Sequence, residues 1–272
     1  MKKAIIEAPV CMGSPTNGSQ YAFRELVGHG LKDILGADAA VPMDDPGDVM
    51  DVSRRLYGAV SENIERGYFP VTVGGDHSCA MGTIAGAAEA LGRENVSVIY
   101  LDGHTDINTE KTSPTGFLHG MPLASALGLC ESVHTVGEKQ NIFGENIYIV
   151  GARSIDDGEY GIIRENGVHL ITASRLKSEG AGRIAADIAG QIKTPYIHVS
   201  FDVDFMDGDV FPSTGYRMSG GATLFEAETI LKTILKTGKV RSFDCVEYNP
   251  LLDRDGADRG KLFCLLSLIA GI

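Results

Sequence analysis

Val96-Ser97-Val98-Ile99-Tyr100-Leu101 runs directly into Asp102-Gly103-His104-Thr105-Asp106-Ile107-Asn108. The first half is a short, almost wholly apolar run, the pattern of a strand covered on both faces rather than of a half-exposed one. The second half packs three ionisable side chains into five residues where the strand ends. In open α/β sheets that is where ligands bind.

Working outward, similar runs recur at Ala4–Ile6, Val71–Val73, Ile147–Val150, Val168–Thr172, Tyr196–Phe201 and Val240–Val246. Segments of helical character lie between them. Val49–Arg66 carries Val52, Leu56, Val60 and Ile64 four apart; Ser78–Leu91 is alanine-rich, with Ser78 as its expected N-cap; Arg183–Gln191 and Leu224–Lys236 are two more. Alternating strands and helices predict an α/β fold of layered α/β/α type with a largely parallel sheet. No Pro- or Ser-rich linker, low-complexity tract or repeat divides the 272 residues, so residues 1–272 are read as one domain.

Composition narrows the function. Apolar residues make up 43% and charged residues 22%, as in ordinary soluble domains and unlike disordered chains. No uncharged apolar run reaches the length of a membrane helix, and the stretch after Met1-Lys2-Lys3 ends at Glu7, too soon for a secretory leader. The formal charge of −12 argues against nucleic acid as a partner. Cys11, Cys79, Cys130, Cys245 and Cys264 are odd in number, dispersed, and form no Cys-x-x-Cys pair. That speaks against a disulfide framework or structural zinc and for a reducing, cytoplasmic setting.

Two further strand ends match the first. Gly74-Gly75-Asp76-His77-Ser78 follows Val71–Val73, and Ser200-Phe201-Asp202-Val203-Asp204 closes Tyr196–Val199. Taken singly, the former also reads as a strand-to-helix turn and the latter as a solvated strand end. Along extended chain, alternate side chains share a face, which would align Asp102, His104 and Asp106, and likewise Asp202 and Asp204. With His77 they offer four carboxylates and two imidazoles. Four crowded carboxylates would force one another to protonate unless cations balanced them. Two divalent ions would do so, and an oxygen-rich set without thiolate suits Mn²⁺ better than a closed zinc site. Such a pair, about 3.5–4 Å apart, ionises a shared water near neutral pH.

At these residues the sequence resembles the ureohydrolase superfamily of arginase, agmatinase and formimidoylglutamase, from Ala8-Pro9 to Val246-Glu247-Tyr248-Asn249-Pro250. The resemblance implies an α/β/α sandwich around a parallel, about eight-stranded sheet with two Mn²⁺ per chain. His77, Asp102, Asp106 and Asp202 would hold one ion, and His104, Asp102, Asp202 and Asp204 the other. It implies attack on a guanidinium carbon by a hydroxide held between the metals, with urea released and Asp106 relaying a proton to the departing amine. Glu247 would grip the guanidinium, and His119, in Phe117-Leu118-His119-Gly120, would shuttle protons.

The loop Asp106-Ile107-Asn108-Thr109 and its spacing to His119 are similar to arginase rather than agmatinase. In that register Asn108, Ser113 and Thr115 fall around an amino-acid carboxylate and Asp156 near the α-amino group. The implied substrate is L-arginine or a close analogue. Hydroxyarginine, agmatine-type and formimidoyl-amino-acid hydrolysis are the alternatives, as is a non-catalytic metal-binding relative. The chain departs from the pattern at Phe117 (asparagine in arginase), Tyr216 (threonine), Asp207-Gly208 (Asp-Pro) and Gly103 (alanine). A homo-oligomer, trimer or hexamer, is implied by resemblance alone.

Overall fold

The computed structural model describes residues 1–44 and 47–272. Its strands are β1 (Lys2–Glu7), β2 (Ala39–Val41), β3 (Tyr68–Val73), β4 (Val96–Leu101), β5 (Ile147–Ala152), β6 (His169–Thr172), β7 (Tyr196–Asp202) and β8 (Val240–Val246). All pair in parallel in one sheet, in the order β2-β1-β3-β8-β7-β4-β5-β6. Seven strands coincide with the apolar runs of the sequence. The eighth, β2, is a three-residue edge strand, partly exposed throughout, and so has no apolar run to announce it.

The helices are α1 (Ala22–Gly28), α2 (Leu31–Leu35), α3 (Val49–Glu65), α4 (Ala80–Leu91), α5 (Pro122–Ala126), α6 (Asp157–Glu165), α7 (Ala173–Glu179), α8 (Ala181–Gln191), α9 (Leu224–Leu235) and α10 (Ala257–Ser267). Strand residues alternate between the two faces of the sheet. Ile99 and Leu101 of β4 share a core with Phe23, Leu31, Leu176, Ile184, Ile230 and Leu262 of α1, α2 and α7 to α10. Val98 and Tyr100 join Ile84, Leu123 and Ile163 of α4 to α6 on the other face, and Val52 and Leu56 of α3 pack there against Ile6 and Val246. Every residue of β4 is buried, the physical reason its sequence is unbroken by polar positions.

Two details fix the helices. Asp48 caps α3, accepting from the Met50 and Asp51 backbone N–H groups at 2.9 Å. Helix α4 lies unusually close to α3: a Cβ on Gly82 would sit 2.1 Å from the Ser53 carbonyl oxygen, and one on Gly86 2.6 Å from that of Tyr57. Ser78 does not cap α4. A short 3₁₀ turn, His77–Cys79, intervenes, and its cap is Asp76, which accepts from both the Ser78 N–H and hydroxyl. Among the described residues no helix is long and apolar enough to cross a membrane.

Strands β3, β8, β7 and β4 are neighbours at the centre of the sheet although β4 follows β3 in sequence. The chain reverses its direction of winding between them, and the crevice this opens at their carboxyl ends receives all three motifs and Glu247.

Candidate metal centre

The site assembles from four strand ends. Gly74 and Gly75 after β3 take left-handed conformations (φ 95° and 79°), which turn the chain so that His77 points back over the sheet. Its Nδ1 lies 2.9 Å from Asp102 Oδ2, 3.2 Å from Asp202 Oδ2 and 3.3 Å from Asp106 Oδ2. His104 Nδ1 lies 3.0 Å from Asp204 Oδ2 and 3.5 Å from Asp102 Oδ1. Candidate ligand atoms of His77, Asp102 and Asp106 fall within 4.8 Å of one another, as do those of Asp102, His104 and Asp204. The two groups share Asp102. Asp202 joins through His77 and through its Oδ1, which accepts from the Asp204 N–H at 2.7 Å.

The convergence does not come from strand alternation. Residues after Leu101 leave the strand, and Asp106 is left-handed, with φ 46°. Asp204 sits in a 3₁₀ turn, Val203–Phe205, rather than in extended chain. Glu247 is also left-handed, with φ 63°; among the described residues these two are the non-glycine positions with positive φ. Each costs about 1–3 kcal/mol and persists where surrounding structure enforces it.

Charge is concentrated and dry. Asp102 is fully buried and Asp202 and Asp204 are 3% exposed. Burial would raise Asp102, but hydrogen bonding and charge from His104 and His77 hold it far below the usual carboxylate range. Burial, Asp204 and Asp102 together push Asp202 well up. Burial would lower His77, yet Asp102, Asp106 and Asp202 raise it well above the ordinary value. His104 is raised likewise, by Asp204 and Asp102 against burial. Glu247 is raised by burial and by Asp202 and Asp76. His77 Nδ1 and Asp102 Oδ2, although close, are buried without a properly directed hydrogen bond. Two bare donor atoms aimed at a common point among carboxylates fit a cation.

Several residues that the sequence reading passed over hold these ligands. Tyr100 stacks on His77 (centroids 4.3 Å, 7°) and donates to Asp106 Oδ2 at 2.8 Å. His77 Nε2 meets Ser200 Oγ at 2.9 Å, and Ser200 reaches Asp244 Oδ2 at 3.5 Å. Asp244 also takes hydrogen bonds from His198 Nε2 (3.0 Å) and from Thr83. Tyr100 and Ser200 stand two residues before Asp102 and Asp202 on the same strand face, and Asp244 interrupts an apolar run. Those were the available signals. Buried Glu159 accepts from the Ile107 and Asp156 N–H groups (3.1 and 2.8 Å), tying together the loops after β4 and β5.

A cavity of about 260 Å³ opens beside the ligands, lined among others by His104, Asp106, Asn108, Ser113, Thr115, His119, Asp156, Glu159 and Tyr216. Its described lining includes no lysine or arginine. Asn108 Nδ2 donates to Asp156 Oδ2 at 2.8 Å, while Asn108 Oδ1 is buried without a partner. Ser113 and Thr115 accept from the Gly116 and Phe117 N–H groups of their own loop. His119 Nδ1 pairs with the Gly13 carbonyl at 2.7 Å. Glu247 Oε1 accepts from the His77 N–H at 3.0 Å. The alanine-to-glycine departure has a steric reason: a Cβ at Gly103 would lie 2.5 Å from Arg153 Nη1 and 2.9 Å from Asp204 Oδ1.

The sequence profile described as "Arginase family" matches residues 3–265. The chain is 39% identical over 226 residues to the arginase of Neurospora crassa, covering 77% of this chain and 61% of that one. It is 34% identical over 227 residues to the arginase of Bacillus caldovelox, covering 82% and 75%. The matched part thus spans under two thirds of the Neurospora relative. The crystal structure of the Bacillus caldovelox arginase at pH 5.6 superposes with a TM-score of 0.92 at 30% identity, covering 100% of this chain and 99% of that one. For the formimidoylglutamase of Bacillus subtilis the TM-score is 0.84 at 20% identity, covering 100% and 87%, a likeness of fold. The chain belongs to the arginase family and is a hydrolase of the ureohydrolase superfamily.

Proposed function

We propose that the chain hydrolyses the guanidino group of L-arginine or a close amino-acid analogue, releasing urea, and that it uses two Mn²⁺ ions. The observation that carries this reading is the pair of ligand groups sharing Asp102, with Glu247 buried beside them. His77, Asp102, Asp106 and Asp202 would hold one ion and His104, Asp102, Asp202 and Asp204 the other. When bound, the pair supplies a solvent molecule ionised near neutral pH as the nucleophile.

The chain's own residues do the rest. Glu247, with Oε1 occupied by the His77 N–H, keeps Oε2 to accept from the guanidinium, a charge-assisted bond that orients its central carbon. A guanidinium offers only N–H donors, and the cavity lining answers with acceptors and carboxylates. Asp106, steadied by the Tyr100 hydroxyl, passes a proton to the departing amine, which leaves poorly unless protonated. His119, with Nδ1 donating to the Gly13 carbonyl, has Nε2 open to exchange protons with the cavity. Elsewhere in the cavity Asp156, which accepts from Asn108 Nδ2, suits an α-ammonium group, and Asn108 with the Ser113 and Thr115 hydroxyls, which keep their protons, suits a carboxylate.

The test is hydrolysis by the Mn²⁺-loaded protein of L-arginine and agmatine, read as urea, of N-hydroxy-L-arginine, read as hydroxyurea, and of a formimidoyl amino acid, read as formamide. L-arginine as the preferred substrate supports the reading. Activity confined to a compound lacking the amino-acid end removes the roles given to Asn108, Ser113, Thr115 and Asp156, and no hydrolysis of any guanidino compound removes the proposal.

A further inference from the structure

One lining residue of the cavity is left without a task by the chemistry above. Tyr216 sits in the loop between β7 and α9, half-buried, with its ring against two imidazoles. The His104 ring is 5.7 Å away, edge-on at 81°, and the His119 ring 5.3 Å away at 51°. Phe117 stacks on His119 as well, at 5.9 Å and 13°. Tyr216 therefore borders the cavity beside His104, and Ser113, Thr115 and Asp156 line the same cavity. Its hydroxyl makes no hydrogen bond with the described residues.

A phenol there has two effects on a guanidinium. Its oxygen can accept an N–H, and its ring can fill space beside the terminal nitrogens. We propose that Tyr216 is a specificity-determining residue, a wall at the reacting end of the cavity that admits an unsubstituted guanidinium and rejects one carrying an alkyl group on a terminal nitrogen. This rests on the guanidino-hydrolase reading and adds to it the substrate class: guanidino compounds with bare terminal nitrogens. Methylation removes one N–H from the phenol oxygen and adds a methyl group against the ring, and one such group is worth about 10–200-fold in a close-fitting pocket.

The experiment compares kcat/KM of the Mn²⁺-loaded wild type, Tyr216→Thr and Tyr216→Phe on L-arginine and on Nω-methyl-L-arginine. The expected result is that Tyr216→Thr lowers the preference for the unmethylated compound by about tenfold or more. Tyr216→Phe, which keeps the ring, should lose about 2–10-fold on L-arginine through the missing hydrogen bond while retaining most of the discrimination. A merely structural role would depress both substrates alike and leave their ratio in place. A ratio unchanged within about twofold in Tyr216→Thr overturns the proposal, as does a Phe variant that loses as much discrimination as the Thr variant. If the wild type releases neither urea from L-arginine nor N-methylurea from the methylated compound, the hydrolase reading falls by itself. Calorimetric affinities of the same two compounds for the same three proteins then decide about the wall, equal affinities or absent binding overturning it.

Discussion

Ser200→Ala removes a single oxygen from behind His77. The oxygen is fully buried, pairs with His77 Nε2 at 2.9 Å and reaches Asp244 Oδ2 at 3.5 Å. The longer contact is weak, and Asp244 keeps its bonds from His198 and Thr83, so the loss falls on the imidazole. Stranding a buried N–H costs about 1–3 kcal/mol. How that cost divides between the two forms of the protein sets the phenotype. Without metal, three carboxylates surround the raised His77 and hold the ring by charge at Nδ1. With metal, Nδ1 gives its lone pair to the cation, and Nε2–H is the remaining bond that fixes the ring's rotation. The penalty is therefore larger in the loaded protein, and affinity drops. Outer partners of ligating histidines are typically worth about 10–100-fold in affinity, or about 1.4–2.8 kcal/mol. Calorimetric titration of Mn²⁺ into the metal-free wild type and variant, with melting curves of both forms, measures this. One of the two binding events should weaken by that factor while the other moves by less than about threefold. Unchanged binding with an intact fold, or equal weakening of both events, would refute the reasoning.

Glu247→Gln keeps an acceptor for the His77 N–H but removes the charge facing the guanidinium. On the scale of charge-assisted hydrogen bonds, kcat/KM should fall by about 10–200-fold, with a smaller loss of Mn²⁺ affinity because Glu247 neighbours the ligands without being one; steady-state kinetics beside a metal titration separates the two effects, and a variant as active as wild type would remove Glu247 from the site. Gly82→Ala sets propensity against packing: alanine favours an isolated helix by about 1 kcal/mol, but the new methyl meets the Ser53 carbonyl at 2.1 Å, so a net loss of about 1–3 kcal/mol is expected in chemical denaturation, and a stabilised variant would contradict the α3–α4 contact. The metal-free chain should lose stability as pH rises. Asp202 and Glu247 are raised by burial and neighbouring carboxylates, so they hold protons more tightly folded than unfolded, and what they contribute is lost as pH climbs above their ordinary 3.8 and 4.5. His77 and His104, raised by carboxylates against burial, contribute fully below 6.5 and lose it as pH passes their folded values. Metal displaces these protons, so the gain in Tm on adding Mn²⁺ should grow between about pH 5 and 9; a metal-free Tm that rises over that range would contradict the assignment.

The fold was legible where burial on both faces writes itself into the residues. Six of the strands are central, and each left an apolar run, as did β6 at one edge; β2, at the other edge and partly in water, left none. Long amphipathic α3 was readable because Val52, Leu56 and Val60 must all face the sheet, whereas five-residue α2 and α5 are too short for a period to appear. That His77, Asp102, His104, Asp106, Asp202 and Asp204 meet in one place was readable by type and position, since charged residues at the end of a buried strand require a partner. Their geometry was not. Alternation along an extended chain brings Asp102, His104 and Asp106 together on paper, but the protein does it with a left-handed Asp106 and a 3₁₀ turn under Asp204.

That difference bears on how the site works. A strand would space its carboxylates evenly along one face, leaving each free to rotate into water. Here each ligand loop is cross-tied to another strand end. The Gly103 N–H is bound by Asp204, the His77 N–H by Glu247, and the Glu247 N–H by the Gly75 carbonyl. The two residues with unfavourable backbone, Asp106 and Glu247, are those assigned to the proton and to the guanidinium, the groups whose placement most affects a reaction that depends on approach angle. Strain of about 1–3 kcal/mol at each is offset by the buried bonds around it, so relaxing Glu247 would break its two ties to the segment after β3, and relaxing Asp106 its bond from Tyr100. The carboxylates therefore stay converged before any cation arrives, and their mutual repulsion is met in the metal-free fold by protonation, as the raised Asp202 shows, and in the loaded protein by the metal rather than by local unfolding.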